Sequence, residues 1–301
     1  MGETQAGNTE NAARARFFSV EEGFNIKRPR LAPRAFTAER DMAFRERGQT
    51  GEILLDCSGE LGFHQPATSP LMLACYLRIN AGETLDVARA ATGEIHVALK
   101  GAGESRKGGD RVRWQAGDVF CLPGGDAPAE HAADDDAVLY HVCDAPALHF
   151  IGAGAPKPGQ APIRAVHHPR AMIDRQLDGL RARQLPADAP GRAVNLSSVE
   201  MDGLKTCLPS MTLTYNVVPP GDTQRPHRHN ATALVLVQRP GSCRSIVAGQ
   251  PFDWRENTVI LTPATEVHSH ANGPDADWAL ALIVQDGGLY YHARTMGFAF
   301  A

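Results

Sequence analysis

The sequence predicts an all-β chain of two tandem barrels joined by a short helical linker. Three observations lead there. The chain repeats itself at an offset of 139 to 140 residues, short β-rich runs recur without alternating helices, and turn residues recur at matched places in both copies. In the repeat, Pro70 matches Pro209, Met72 matches Met211, Tyr76 matches Tyr215, Gly82 matches Gly221 and Arg89 matches Arg228. After one inserted residue the matching resumes: Gly101 with Gly241, Ser105 with Ser245, Gly109 with Gly249, Trp114 with Trp254 and Pro123 with Pro263. At 301 residues the chain is long enough for two such modules, each with its own core.

The elements follow in chain order. Residues 1–15 are small and polar and are expected to be disordered. Residues 16–65 mix charge, proline and short apolar pieces and read as an arm that packs on a barrel or on a partner subunit. Residues 66–155 form the first barrel, with strands expected over 71–79, 95–99, 112–114, 119–122 and 138–142. Gly108-Gly109 fits a tight hairpin, and its repeat partner Ala248-Gly249 keeps glycine at the second turn position. Gly117 is matched by Asn257, the residue next best suited to a left-handed turn. Residues 156–205 are a linker with one helix, set by Ile173, Leu177 and Leu180 and ending before Pro186. Residues 206–301 repeat the strand pattern over 211–218, 233–238, 245–247, 259–261 and 278–284.

Composition removes several classes of function. A net charge of −4 offers no basic face for nucleic acid or an anionic membrane, and no apolar run is long enough to span a bilayer. The six cysteines show no CxxC and no paired spacing, so they read as small buried thiols of a reduced, cytoplasmic protein. The N-terminal segment lacks the apolar run of a secretory signal.

Chemistry concentrates in the second copy. Side chains at i and i+2 of a strand share a face, so His227 and His229 can both point into a barrel while Arg228 points away. His268 and His270 have the same spacing about 40 residues later. Two HxH pairs in one β module are a fairly specific signal for a first-row metal. Four histidines leave no open position, so three are read as ligands and one as a neighbour of the metal. At the matching place in the first copy the chain reads Val87-Ala88-Arg89-Ala90, both histidines having become alanines. The first barrel is therefore expected to carry no metal. Trp114 and Trp254 are read as core residues, and Tyr290, Tyr291 and His292 as part of a terminal strand or barrel mouth.

These motifs resemble a bicupin of the gentisate 1,2-dioxygenase type, the group that includes salicylate and 1-hydroxy-2-naphthoate dioxygenases. The first cupin motif, Gly-x5-His-x-His, is matched by Gly221 through His227 and His229. The second is matched by Thr262-Pro263 through His268-Ser269-His270-Ala271-Asn272. The resemblance implies two cupin (double-stranded β-helix, jelly-roll) barrels, Fe(II) as cofactor and O₂ as co-substrate. It also implies a small aromatic acid as substrate and a homo-oligomer, dimer or tetramer. Carried over residue by residue, His227, His229 and His268 would be the iron ligands, and His270 a catalytic group beside the open positions. Gln224, Arg225 and Asp286 are assigned to substrate binding.

Two departures bear on chemistry. Many cupins place a glutamate four or five residues after the second histidine, where this chain has Ala233 and Leu234, which points to a three-histidine site. The group resembled has an arginine six residues after it, where this chain has Val235, so either Arg225, Arg228, Arg239 or Arg244 serves instead or the substrate is not a typical 2-hydroxybenzoate. In the first copy Glu94 sits at the common glutamate position, read as a single carboxylate unable to hold a metal, and His131 aligns with His270. Three other functions stay open: a three-histidine oxygenase of a non-aromatic chelating substrate such as a β-diketone, a non-catalytic metal- or ligand-binding cupin, and a redox-neutral isomerase or decarboxylase using Mn, Ni or Zn.

Overall fold

The computed structural model describes residues 9–24, 29–184 and 191–301. Met1–Arg30 forms a unit of its own, in which the described residues are exposed and include the short helix Val20–Phe24. Of the stretch expected to be disordered, residues 1–8 lie outside the described ones, and residues 9–13 are helical. Leu31–Ala301 is the second unit and contains both modules.

Each module is a pair of facing sheets that do not close into a hydrogen-bonded barrel. In the first, a six-stranded sheet runs in the order Val166–His168, Val119–Gly125, Ala91–Lys100, Ala137–Cys143, Leu73–Ile79, Gly51–Leu54. It faces a four-stranded sheet of Thr84–Val87, Ala129–Ala133, Ala102–Lys107 and Asp110–Gln115. The second module repeats this order: Arg34–Ala35, Val259–Thr262, Ala233–Arg239, Ala279–Gln285, Thr212–Val218, Arg192–Leu196. It faces Gln250–Asp253, Arg244–Val247, His268–Ala271, His227–His229 and Phe298–Phe300.

Alternation along the long strands explains the packing. Ile95 and Val97 point outward into a core shared with Leu234, Leu236, Leu282 and Val284 of the other module. The next residues along, Ala98 in the first module and Ala233, Val235 and Val237 in the second, face the inside of their own module. Both six-stranded sheets are thus covered on both faces, which is why their strands read as nearly continuous apolar runs. Tyr76 ties the modules further, its hydroxyl donating to the Asn257 carbonyl at 2.6 Å.

The connecting segments do more than span. The arm adds Arg34–Ala35 to the second module and Gly51–Leu54 to the first. The linker adds Val166–His168 to the first and Arg192–Leu196 to the second, with the helix Arg170–Ala182 between them. Helix residues Ile173, Leu177 and Leu180 are buried, as their spacing predicts, while Pro186 lies outside the described residues. The turn chemistry holds: Gly117 has φ 95° and Asn257 has φ 61°. All six cysteines are buried and free, and no helix among the described residues is long and apolar enough to cross a membrane. Tyr290, Tyr291 and His292 lie on the helix Gly287–Ala293 rather than on a terminal strand.

Leu282 is fully buried in the shared core. Leu282→Ala is expected to cost roughly 2–5 kcal/mol and to lower a single cooperative unfolding transition. Calorimetry that resolved two independent transitions, with only one displaced, would contradict the shared core.

Candidate metal centre

The strand His227–His229 buries both histidines and exposes Arg228, as period-2 geometry requires. Antiparallel pairing sets His227 opposite His268. The ring centroids lie 4.3 Å apart for His227–His268, 4.8 Å for His229–His268 and 6.0 Å for His227–His229. One nitrogen from each of the three falls within 4.8 Å of the others.

The outer nitrogens are held by backbone carbonyls. Nδ1 of His227 lies 3.0 Å from the Arg225 oxygen, Nδ1 of His229 2.8 Å from the Ala231 oxygen, and Nδ1 of His268 3.0 Å from the Glu266 oxygen. A carbonyl can only accept, so each Nδ1 carries the proton and each Nε2 keeps a lone pair. Burial lowers the pKa of all three, that of His268 to about 3, so the rings are neutral near pH 7. Three neutral imidazoles with convergent Nε2 lone pairs fit a divalent first-row ion.

His270 sits beside this set, its ring centroid 6.2 Å from that of His268. Trp254 Nε1 donates to Ser245 Oγ at 2.7 Å, and Ser245 Oγ lies 2.8 Å from His270 Nδ1. With the serine proton directed at Nδ1, His270 carries its own proton on Nε2, an assignment made from the hydrogen-bond network. Burial pushes its pKa down to about 4, so it too is neutral. Trp254 is therefore more than core: it orients the serine that orients His270.

The four histidines line a cavity of about 590 Å³. Its walls include Ala233, Val235, Ile283, Met296, Phe298 and Phe300, with Asn216, Gln224 and Gln285 as its carboxamides. Among the described residues, no Asp, Glu, Lys or Arg lines it. Gln224 Nε2 donates to Asn216 Oδ1 at 2.8 Å, while its Oε1 is buried without a partner. Gln285 Nε2 lies 3.2 Å from His229 Nε2.

The structure brings together His227, His229, His268, His270 and Gln224, and leaves two expected site residues outside. Arg225 does not line the cavity; its guanidinium stacks 4.1 Å over the Phe300 ring. Asp286 turns away because its neighbour Gln285 faces inward. Its Oδ1 accepts from the Thr232 amide at 2.8 Å, at the start of the helix Gly287–Ala293. Asp144 does the same in the first module, accepting from the Thr92 amide at 2.8 Å before the helix Ala145–Ile151. A role repeated in both modules is structural. Asn216, Gln285 and the Phe298–Phe300 wall are the lining residues missed by sequence reasoning. Extending the inward positions Ala281 and Ile283 by two would have found Gln285.

Comparison with known proteins follows this geometry. The AraC-like ligand binding domain family matches residues 215–293. A gentisate 1,2-dioxygenase from Haloferax sp is 41% identical over 59 residues, a stretch spanning 19% of this chain and 16% of that relative. The salicylate 1,2-dioxygenase of Pseudaminobacter salicylatoxidans superposes with a TM-score of 0.78 at 13% identity, covering 98% of this chain and 97% of that one. The chain has the bicupin fold. A cupin 2 conserved barrel domain protein from Leptotrichia buccalis gives 0.53 at 13% identity, over 86% of this chain and 97% of the other. The likeness to the bicupin of Pseudaminobacter thus runs through both modules, the arm and the linker.

Burial raises the Asp286 carboxyl to about 7. An unfolded aspartate titrates near 4. Between these values the folded chain holds a proton that the unfolded chain has lost, so stability falls as pH rises through that window. In metal-free protein Asp286→Asn removes this dependence. Its stability relative to the parent is expected to rise from pH 4 to pH 8 by on the order of 1–3 kcal/mol. Urea titrations of both proteins at the two pH values check the sign.

Proposed function

We propose that this bicupin is an Fe(II)-dependent ring-cleaving dioxygenase with one active site, in the second module. Its substrate is a hydroxy- or amino-substituted aromatic carboxylic acid of the gentisate or salicylate kind. One observation carries the reading: three neutral histidine nitrogens converge in a largely apolar cavity large enough for a single aromatic ring. The named dioxygenases that share the fold or part of the sequence support the same chemistry.

In this reading His227, His229 and His268 hold the iron. The bound ion supplies a place where a chelating substrate and O₂ meet and exchange electrons. The chain supplies the rest. Ala233, Val235, Ile283 and Phe298 pack against the ring and keep water out. Gln224 and Asn216 present amide groups to the substrate's polar substituents. His270 offers its Nε2 proton as a hydrogen-bond donor to oxygen atoms bound beside the histidines, held in aim by Ser245 and Trp254. Gln285 Nε2 lies 3.2 Å from His229 Nε2, the nitrogen that would hold the ion, so with the ion bound its amide would be released to face the substrate.

A second reading is favoured by one feature, the absence of any lysine or arginine from the cavity wall among the described residues. A neutral chelating substrate such as a β-diketone would need none.

The test is oxygen uptake by protein loaded anaerobically with Fe(II), against hydroxybenzoates, aminobenzoates and a β-diketone. Uptake with an aromatic acid is the expected result. Uptake with the β-diketone alone would shift the assignment to the second reading, and none with any member would sink the oxygenase reading. His268→Ala is expected to lose both iron and uptake. His270→Asn is expected to keep its iron and lose turnover by about 10²-fold or more.

A further inference from the structure

The inside of the first module is not the apolar filling that its missing HxH pair suggests. Strand register matches its inward positions to those of the second module. Val235 stands opposite Ile283, and His96 stands opposite His141. Ala233 and Glu94 hold the corresponding places two residues earlier, facing Thr262 and Leu122 respectively. Where the second module builds an apolar cavity wall, the first places a carboxylate and two imidazoles. His131, the repeat partner of His270, completes the group.

All four side chains are fully buried. Glu94 Oε2 lies 3.4 Å from His141 Nε2 and 3.7 Å from His96 Nε2, and a donor atom from each of the three falls within 4.8 Å of the others. The His96 ring centroid is 4.9 Å from those of both His131 and His141. Supports hold the cluster from behind. Lys107 Nζ pairs with Glu94 Oε1, leaving Oε2 turned to the histidines. His141 Nδ1 lies 3.4 Å from Cys75 Sγ. His131 Nδ1 lies 2.7 Å from Ser105 Oγ, which Trp114 Nε1 also contacts at 2.8 Å.

The atoms turned toward one another have no aligned hydrogen bond. Glu94 Oε2, both nitrogens of His96, His131 Nε2 and His141 Nε2 are buried without a partner. Leaving one such atom unsatisfied costs roughly 1–3 kcal/mol. One such atom each from Glu94, His96 and His141 lies within 4.8 Å of the others, and these three call for a common partner. Burial, and the charges beside it, push the pKa of His96 well down and that of His131 to about 3, so both rings are neutral. Burial raises the Glu94 carboxyl, but its neighbours His141 and Lys107 outweigh this and hold its pKa below the ordinary value. A carboxylate with imidazoles is a donor set for a divalent first-row ion.

We propose that the first module holds a second divalent transition-metal ion, structural rather than catalytic, at Glu94, His96 and His141, with His131 beside it. The site lies on the strands Ala91–Lys100 and Ala137–Cys143, while Ala88 and Ala90 lie in the loop before the first of these, so the loss of that pair does not remove it. With no exposed face it admits no substrate, and its ion contributes to folding.

Ion counting tests this without an activity assay. The full chain is expressed in medium supplied with Zn²⁺ and Fe²⁺, and metal per chain is measured by mass spectrometry. About two ions per chain are expected in the parent, and about one in His227→Ala/His229→Ala/His268→Ala, which leaves the first module untouched. A folded triple variant holding no ion would overturn the proposal, the cluster then being satisfied by water only. His96→Leu/His141→Leu is expected to keep only the ion of the second module; a count equal to the parent's would also overturn it. Should that double variant fail to fold, the triple variant still decides. A chelator is expected to lower the melting temperature of the triple variant, and an unchanged value would count against a structural ion.

Discussion

The core shared by the two six-stranded sheets sets the rest of the structure. Leu234, Leu236, Leu282 and Val284 must meet Ile95, Val97, Tyr76 and Tyr140 across the module boundary. Since side chains alternate along a strand, this fixes which residues face inward. Val235 and Ile283 line the cavity because Leu234 and Leu282 cannot. A slip of one residue would bury a different set and send the cavity wall into the shared core. His227–His229 and His268–Ala271 lie on the sheet facing this rigid one. The arm and linker strands extend both six-stranded sheets and so brace the same boundary.

Comparison of the two modules within one chain separates scaffold from chemistry. The Asp144–Thr92 and Asp286–Thr232 bonds match, as do the Trp114–Ser105–His131 and Trp254–Ser245–His270 contacts. The tryptophan–serine–histidine contact survives in the first module without the HxH pair. It therefore serves to pin one sheet's strands together in both modules, and in the second module it also aims a histidine into a cavity. What differs is what fills the space between the sheets: a cavity rimmed by histidines in one, a cluster of ionisable side chains in the other.

The local signals were legible in the sequence. Period-2 spacing placed His227, His229, His268 and His270 on inward faces, and the left-handed turns at Gly117 and Asn257 followed from residue type. The long strands fell where apolar runs lay. Three things were not legible, for one reason: they depend on pairings between residues far apart. Glu94 reads as a lone carboxylate until strand pairing sets His141 opposite His96, 45 residues on. Phe298–Phe300 becomes a cavity wall only by pairing with His227–His229. Asp286 and Gln285 are adjacent, and only the register of the strand Ala279–Gln285 decides which of them faces in. The sheet contributions of arm and linker belong to the same class.

The missing arginine at position 235 takes on a different weight once the cavity is described. Val235 faces that cavity, so an arginine there would have reached it, and none of the described lining residues replaces the charge, Arg225 being stacked on Phe300. Yet the three ligand histidines are neutral and no carboxylate joins them, so in the proposed reading a divalent ion keeps its full charge. In a cavity of low polarity that charge acts with little screening. It is sufficient to attract a bidentate hydroxy-carboxylate without help from the wall. The wall then contributes direction rather than charge, through the amides of Asn216, Gln224 and Gln285. In that reading such a site would bind an anionic chelate through its ion and discriminate among aromatic acids through shape and hydrogen bonding. Its selectivity therefore resides in the carboxamides and in the apolar positions 233, 235 and 283, and not in an ion pair.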